Sequence, residues 1–312
     1  MEFNSPEELL EQYNNGLQGA VCDPVDMAKL MEELPHPLFG DVGDQLLYGT
    51  GKGALSLPYK AIQYFFPSFG GDESQTTGDC VSHATRNAVD ITRAYEILYG
   101  KEKESFIARG ATEPIYGSRG SSGQGMHCSQ AARFVSVTGG FLLRQKYEQL
   151  GIDLSTYNAK IGMNWGGRGI PEPVIKECAE HKITTVTTVN SVEQARDLLA
   201  NGYALSVCSN YGFSSHRDKN GIAEPQGSWA HAMTLIACDD TYERFNEMLF
   251  LVQNSWGLWN SGPKWYEQPD GSFWIRQKVA EGMIGAGATF AYTNFNGFKR
   301  KMDWTRVKEI FA

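Results

Sequence analysis

The 312-residue sequence predicts an α+β chain in two lobes, one mainly helical and one an antiparallel, barrel-like sheet, with a cleft between them. Three observations predict it. The strongest helical periodicity begins at Asp79-Cys80, in the first half of the chain. Short apolar runs bounded by turn residues fill the second half. The composition, 41% hydrophobic and 21% charged, is that of an ordinary globular chain, so the core needs no metal or disulfide to form.

Residues 1–55 read as an N-terminal arm or pro-segment. An amphipathic stretch from Glu7 to Tyr13 stops at Asn14-Asn15-Gly16, and a Pro- and Gly-punctuated stretch runs from Pro35 to Gly53. Gly49-x-Gly51-x-Gly53 lacks the Gly-Lys-Ser/Thr ending of a phosphate loop and reads as a flexible turn. The helix from Cys80 places Val81, Ala84, Ala88, Ile91, Tyr95 and Leu98 on one face, with Asp79 as N-cap and Gly100 as stop. A second helix is expected over Met126 to Val137, burying Ala131, Phe134 and Val135 and ending at Gly139-Gly140. A third starts at Ser191, with Gln194 at capping-box spacing, and closes at Asn201-Gly202. Strands are expected over 204–208, 230–238, 248–252 and 273–275. The main domain is set at 56–298, with a helical lobe over about 65–190 and a β lobe over about 191–298, followed by a C-terminal tail helix over 299–312.

Net charge is −8, which disfavours nucleic-acid binding through a basic surface. The Lys299-Arg300-Lys301 run reads as a solvated face. No run of eighteen apolar residues exists, so no membrane span is expected, and the acidic start lacks a signal-peptide core. A cytoplasmic or virion-associated location is the expectation. The six cysteines are scattered, with no Cys-x-x-Cys pair. They are expected to be reduced, although three bridges remain open. His127-Cys128 has no second pair at metal spacing, so neither metal nor cofactor is expected.

One constellation carries chemistry. A nucleophilic thiol needs a lowered pKa, a proton carrier and an oxyanion site. Cys80 at a helix N-terminus receives the first from backbone N–H groups, with Asp79 working against it. His83 sits on the same helix and cannot reach across a cleft to the sulfur. His231 opens an apolar strand and is the candidate base. Asn254 ends another strand, where its amide oxygen can fix the imidazole tautomer. Trp256 is placed to shield that bond from water.

These residues give the chain its resemblance to the papain-like cysteine peptidases over about residues 65–295. Gly78-Asp79-Cys80-Val81-Ser82 stands where that family has its nucleophile. Trp229-Ala230-His231-Ala232 is similar to its histidine strand, and Asn254-Ser255-Trp256-Gly257 matches its asparagine signature. Gly123 to Gly140 resembles the glycine-rich cleft edge and the helix after it, which makes Gly123 and Gly125 substrate-binding candidates. Gly271 to Ile275 and Met283-Ile284-Gly285 resemble its closing strands. The resemblance implies Gln75 as oxyanion donor, although Gln75 stands five residues before Cys80 where the family has six. Val81 replaces the usual Trp, and Thr77 stands where a disulfide Cys is common. The version of the nucleophile motif is nearest in look to bacterial and bacteriophage members.

The resemblance implies peptide or protein substrates and an acyl-enzyme at Cys80. Two alternatives stay open. One is a structural or interaction component, for instance of a phage particle, docking on protein neighbours through the arm and the C-terminal helix. The other is a cell-wall peptide hydrolase or acyl transferase using the same site.

Overall fold

The computed structural model describes residues 2–35, 37–39, 48–99, 105 and 108–294. The tail helix expected over 299–312, the Lys299-Arg300-Lys301 run and the stop at Gly100 lie outside the described residues.

The arm carries helix α1 (Pro6–Asn14), strand β1 (Ala20–Val21) and helix α2 (Pro24–Glu33). Both helices start where the chain dictates. Ser5 accepts from the Glu8 N–H and Asp23 from the N–H groups of Val25 and Asp26, each with proline as the first helical residue. Strand β2 (Leu55–Ser56) and helix α3 (Tyr59–Phe65) lead into α4 (Cys80–Tyr99), a 20-residue helix. Every residue of α4 from Cys80 to Glu96 is buried, so it is a central element rather than a surface helix with one apolar stripe. Its far face is polar, with Arg86, Asp90 and Arg93, and must therefore find partners.

The helical lobe continues through α5 (Glu113–Gly117), β3 (Met126–His127) and α6 (Cys128–Arg133). A π-helical turn over Phe134–Thr138 follows, so the second helix expected from the sequence divides into strand, α-helix and π-turn. Strands β4 (Lys146–Tyr147) and β5 (Ile152–Asp153) form a hairpin around a 3₁₀ turn, before helices α7 (Ala159–Arg168) and α8 (Glu172–Ala179).

Strand β6 (Thr185–Thr188) enters the sheet, and α9 (Val192–Ala200) follows, with the Ser191 side chain accepting from the Gln194 N–H. Then come β7 (Leu205–Ser209), β8 (His231–Asp239), β9 (Leu249–Gln253), β10 (Ser272–Arg276), α10 (Gln277–Ile284) and β11 (Ala288–Thr293). Met283 and Ile284 end a helix, so the closing strand is β11, not the 283–285 segment the resemblance implied. Among the described residues the main sheet has seven strands, in the order β10-β9-β8-β7-β11-β6, with β2 also paired to β8. Each pairing in it is antiparallel. Helix α4 lies against β7, β8 and β11. This contact brings the N-terminus of α4 to the start of β8, where His231 stands.

The Gly49–Gly53 turn is held to the β lobe. The N–H groups of Gly49 and Gly51 both donate to the Asp197 carboxylate, at 2.7 and 3.0 Å. The loop that mimics a phosphate site thus grips an anion of its own chain.

Candidate active site

Cys80 is the first residue of α4 and is fully buried. Desolvation pushes its thiol up to about 12; contacts with Tyr13 and the Ala232 backbone pull the other way, and the Asp79 carboxylate adds to the rise. Asp79 does not cap the helix with its side chain. Its Oδ2 accepts from the Tyr157 hydroxyl at 2.8 Å and lies 3.4 Å from His83 Nε2, and Oδ1 has no partner. His83 faces away into the helical lobe, 3.4 Å from Glu73 and edge-on to Tyr157.

His231 is the first residue of β8 and pairs across to Ser209. Its Nε2 lies 2.8 Å from Asn254 Oδ1. That oxygen also accepts from the Ser255 N–H at 2.8 Å, which fixes the carboxamide orientation. An accepting Oδ1 makes Nε2 the protonated nitrogen. Nδ1 is left buried and without a hydrogen-bond partner. Burial lowers the imidazole to about 4, against the opposing effect of the Asn254 hydrogen bond. Trp256 is fully buried with its ring 4.9 Å from the imidazole, inclined 38° to it. Trp229, Trp259, Phe213 and Phe273 extend this aromatic wall.

Gln75 is buried between the two lobes. Its Nε2 donates to the Thr77 carbonyl at 2.7 Å, its N–H donates to the Ser255 carbonyl, and its Oε1 accepts from the Ser255 hydroxyl. Ser255 therefore ties the Gln75 and Asn254 side chains together. Gln124 holds the loop before Cys80 from the other side: its Oε1 accepts from the Gly78 N–H at 2.6 Å and the Thr77 hydroxyl at 2.8 Å. Nothing in the sequence pattern singled out Ser255 or Gln124 for these tasks.

The two glycine candidates separate. Gly123 is exposed and turned to its own loop, donating to Ser121 Oγ and accepting from Arg119 Nε. Gly125 is buried with φ +80°, and a Cβ there would lie 2.0 Å from the Gln18 carbonyl oxygen. Only a glycine admits the arm at that distance.

The arm fills the cleft. Gly19 and Ala20 donate to the Ala230 carbonyl at 3.0 and 2.8 Å, and Met126 N–H donates back to the Gly19 carbonyl at 3.1 Å. Strand β1 pairs in parallel with β3, on the Gly125 edge. A Cβ on Gly19 would meet the Tyr13 hydroxyl at 2.0 Å and Cys80 Sγ at 2.8 Å. The Tyr13 ring stands 4.7 Å from His231 and 5.4 Å from Trp256, and its buried hydroxyl faces Cys80 and Gln75 without a hydrogen bond to either. Sulfur, imidazole and oxyanion candidate thus all lie against one arm side chain. No sequence signal marks this role, because Tyr13 reads as one apolar position of a short amphipathic helix.

Two of the scattered cysteines are joined. Cys128 of α6 and Cys208 of β7 form a disulfide that crosses from helical to β lobe, contrary to the expectation of reduced thiols. Cys22, Cys80, Cys178 and Cys238 are free. Asp23, Asp26 and His127 place ligand-type atoms within 4.8 Å of one another. Asp23 is occupied as the α2 cap and Asp26 pairs with His127 at 2.5 Å, so the group works as an arm-docking contact.

No family model and no curated protein matches the chain by sequence. Solved structures do match by fold. Xylellain, a cysteine protease from Xylella fastidiosa, shares 15% identity at TM-score 0.50, over 88% of this chain and 91% of that one. Digestive procathepsin L2 of Tenebrio molitor shares 15% at TM-score 0.48, over 91% and 80%. The proform of the ragweed pollen cysteine protease Amb a 11 shares 12% at TM-score 0.45, over 93% of each chain. The fold is papain-like, and its structural neighbours are papain-like cysteine proteases. Among the described residues no helix is long and apolar enough to cross a membrane.

Proposed function

We propose that the chain is a cysteine peptidase held inactive by its own N-terminal arm. One observation carries the reading. Cys80 at the head of α4 and the His231 ring, its Nδ1 left free by the Asn254 bond, are both covered by Tyr13 and the segment 18–21 that contains β1. A thiol pushed up to about 12 and an imidazole lowered to about 4, both by burial, are neutral at pH 7, and this is the resting form in our reading. Departure of the arm readmits water, lowers the thiol and raises the imidazole, so that the thiolate–imidazolium pair forms.

The Cys80 thiolate then attacks a peptide carbonyl, with the Cys80 N–H and Gln75 Nε2 holding the oxyanion. His231 gives its proton to the leaving amine, and water activated by His231 releases the acyl-enzyme. Gln75 must exchange its bond to Thr77 for one to the oxyanion. Trp256 keeps water from the His231–Asn254 bond. Gly125 offers backbone groups to an extended peptide, which takes the place of β1. The substrate is a peptide or protein, and the same chemistry serves a wall-peptide stem.

An arm that docks on its own cleft favours this reading over a particle component that docks on neighbours. The test uses a protease site inserted between residues 39 and 48. Cut chain should hydrolyse a peptide library and uncut chain should not; cut chain with no activity on peptides, proteins or purified wall material ends the proposal.

A further inference from the structure

Three cysteines meet at the edge of the cleft. Cys22, the residue after β1, has its Sγ 3.6 Å from Cys128 Sγ, and Cys128 is already bonded to Cys208. This is van der Waals contact between a free thiol and a disulfide sulfur, the arrangement from which exchange starts. Cys22 is exposed on its other side, along an open groove lined by Met27, Met31, Leu38 and Thr188. Small thiols and disulfides can reach it there. The place in the fold matters as much as the contact. Cys208 pairs with Ala232, whose backbone touches the Cys80 sulfur, and Cys22 lies three residues after Gly19, which covers that sulfur.

We propose that Cys22, Cys128 and Cys208 form a thiol–disulfide exchange site that decides whether the arm is covalently held over the cleft, a role that rests on the arm being the occluding segment. The Cys22 thiolate attacks Cys128 Sγ. The Cys22–Cys128 bond forms and the Cys128–Cys208 bond breaks. The electron pair leaves on Cys208 Sγ, which takes up the proton that Cys22 released. One disulfide exists before and after, so the step consumes no oxidant or reductant. Before exchange the bridge ties lobe to lobe and leaves the arm on non-covalent contacts. After exchange it ties arm to helical lobe. The two bridges span 106 and 80 residues, and loop entropy grows only with the logarithm of length. Chain entropy therefore does not choose between them, and small changes at the arm can. A thiol such as glutathione that opens the Cys22–Cys128 bridge returns the arm to its non-covalent contacts.

The test maps disulfides in the full chain. Protein is equilibrated in glutathione buffers of graded ratio, acid-quenched, alkylated and digested without reduction. The expected result is both bridged peptide pairs, Cys128–Cys208 and Cys22–Cys128, interchanging as the ratio varies. In Cys208→Ser the Cys22–Cys128 bridge should form. Alkylation of Cys80 by a thiol-directed epoxide should then run about tenfold slower than in the Cys22→Ser, Cys208→Ser double variant, because tethering raises the arm's effective concentration. Cys22 found alkylated or carrying glutathione at every ratio, with Cys128–Cys208 the sole internal bridge of the wild-type chain, overturns the proposal whether or not Cys208→Ser folds. The map is read by mass. An exchange-competent chain that hydrolyses nothing after arm release would refute the peptidase reading and leave the exchange site standing.

Discussion

The two walls of the cleft are built from opposite materials. Behind Cys80 the helical lobe is ionic. Glu73 accepts from Arg86 at 2.8 Å, lies 2.9 Å from Arg144 Nε and faces His83, while Arg109 bonds Asp72 and Asn87. Asp90 accepts from the Gly110 N–H among three arginines. Behind His231 the β lobe is aromatic, a run of Trp229, Trp256, Trp259, Phe213 and Phe273. An aromatic wall excludes water and needs few partners, so it can hold a neutral imidazole and one hydrogen bond without competition. An ionic wall gains fixed geometry at a desolvation cost and fails badly when one member is removed. The thiol therefore sits at the end of a helix face fixed by ion pairs, and the imidazole sits in an aromatic pocket.

The comparison can be broken at four strengths. Cys80→Ala or His231→Ala should remove essentially all turnover of cut chain, at least about a thousandfold, with melting little changed. Retained turnover in either variant would move the chemistry elsewhere. Glu73→Gln should destabilise the fold by about 3–5 kcal/mol, because it leaves buried arginines without their carboxylate. Burial pushes the Glu73 carboxyl up, but Arg86, Arg144 and Arg109 together outweigh it and hold the group well below its usual range. Its contribution is complete above the unfolded carboxyl value and is lost as pH falls below it. Denaturant melts that shift by under about 1 kcal/mol would show the ionic wall to be dispensable.

A third test concerns the aromatic side. Folded His231 titrates near 4 and an unfolded histidine near 6.5. Stability should be level above pH 6.5, decline by up to about 3 kcal/mol as pH falls toward 4, and then level again for this group. Proton NMR of the imidazole in uncut chain checks it directly, and titration near 6.5 would mean the pocket is wet. The smallest effect is expected at the arm. Gly19→Ala forces a methyl against Tyr13 and Cys80. It should loosen the arm and speed epoxide labelling of Cys80 about tenfold, an expected cost of about 1.4 kcal/mol for overpacking. Unchanged labelling would show that the arm does not guard the sulfur.

Much of this was legible in the chain because it was written in local signals. The Cys80 helix, the Ser191 cap and the strands opening with His231 and ending near Asn254 follow from periodicity, capping and alternation. Helix α2 carries an equally local signal, with Asp23 as cap and Pro24 as first helical residue. The ionic wall was not legible. Arg86, Arg109, Arg144 and Glu73 lie far apart in sequence and read as ordinary surface charge until the fold buries them. The Cys128–Cys208 bridge and the Cys22 contact were hidden in the same way, since spacing cannot say which thiols meet. Tyr13 was hidden by its own ordinariness: an apolar position of a short helix carries no sign of what it will cover.

The central claim is that Cys80 is a nucleophile activated by His231 and masked by the arm. It is tested most directly by mass-mapped alkylation with a thiol-directed epoxide, before and after cutting between residues 39 and 48. Label at Cys80 should be slow in uncut chain, fast and stoichiometric after the cut, and slow again in cut His231→Ala. Label spread over Cys22, Cys178 and Cys238 with Cys80 untouched, or a Cys80 rate indifferent to His231, would contradict it.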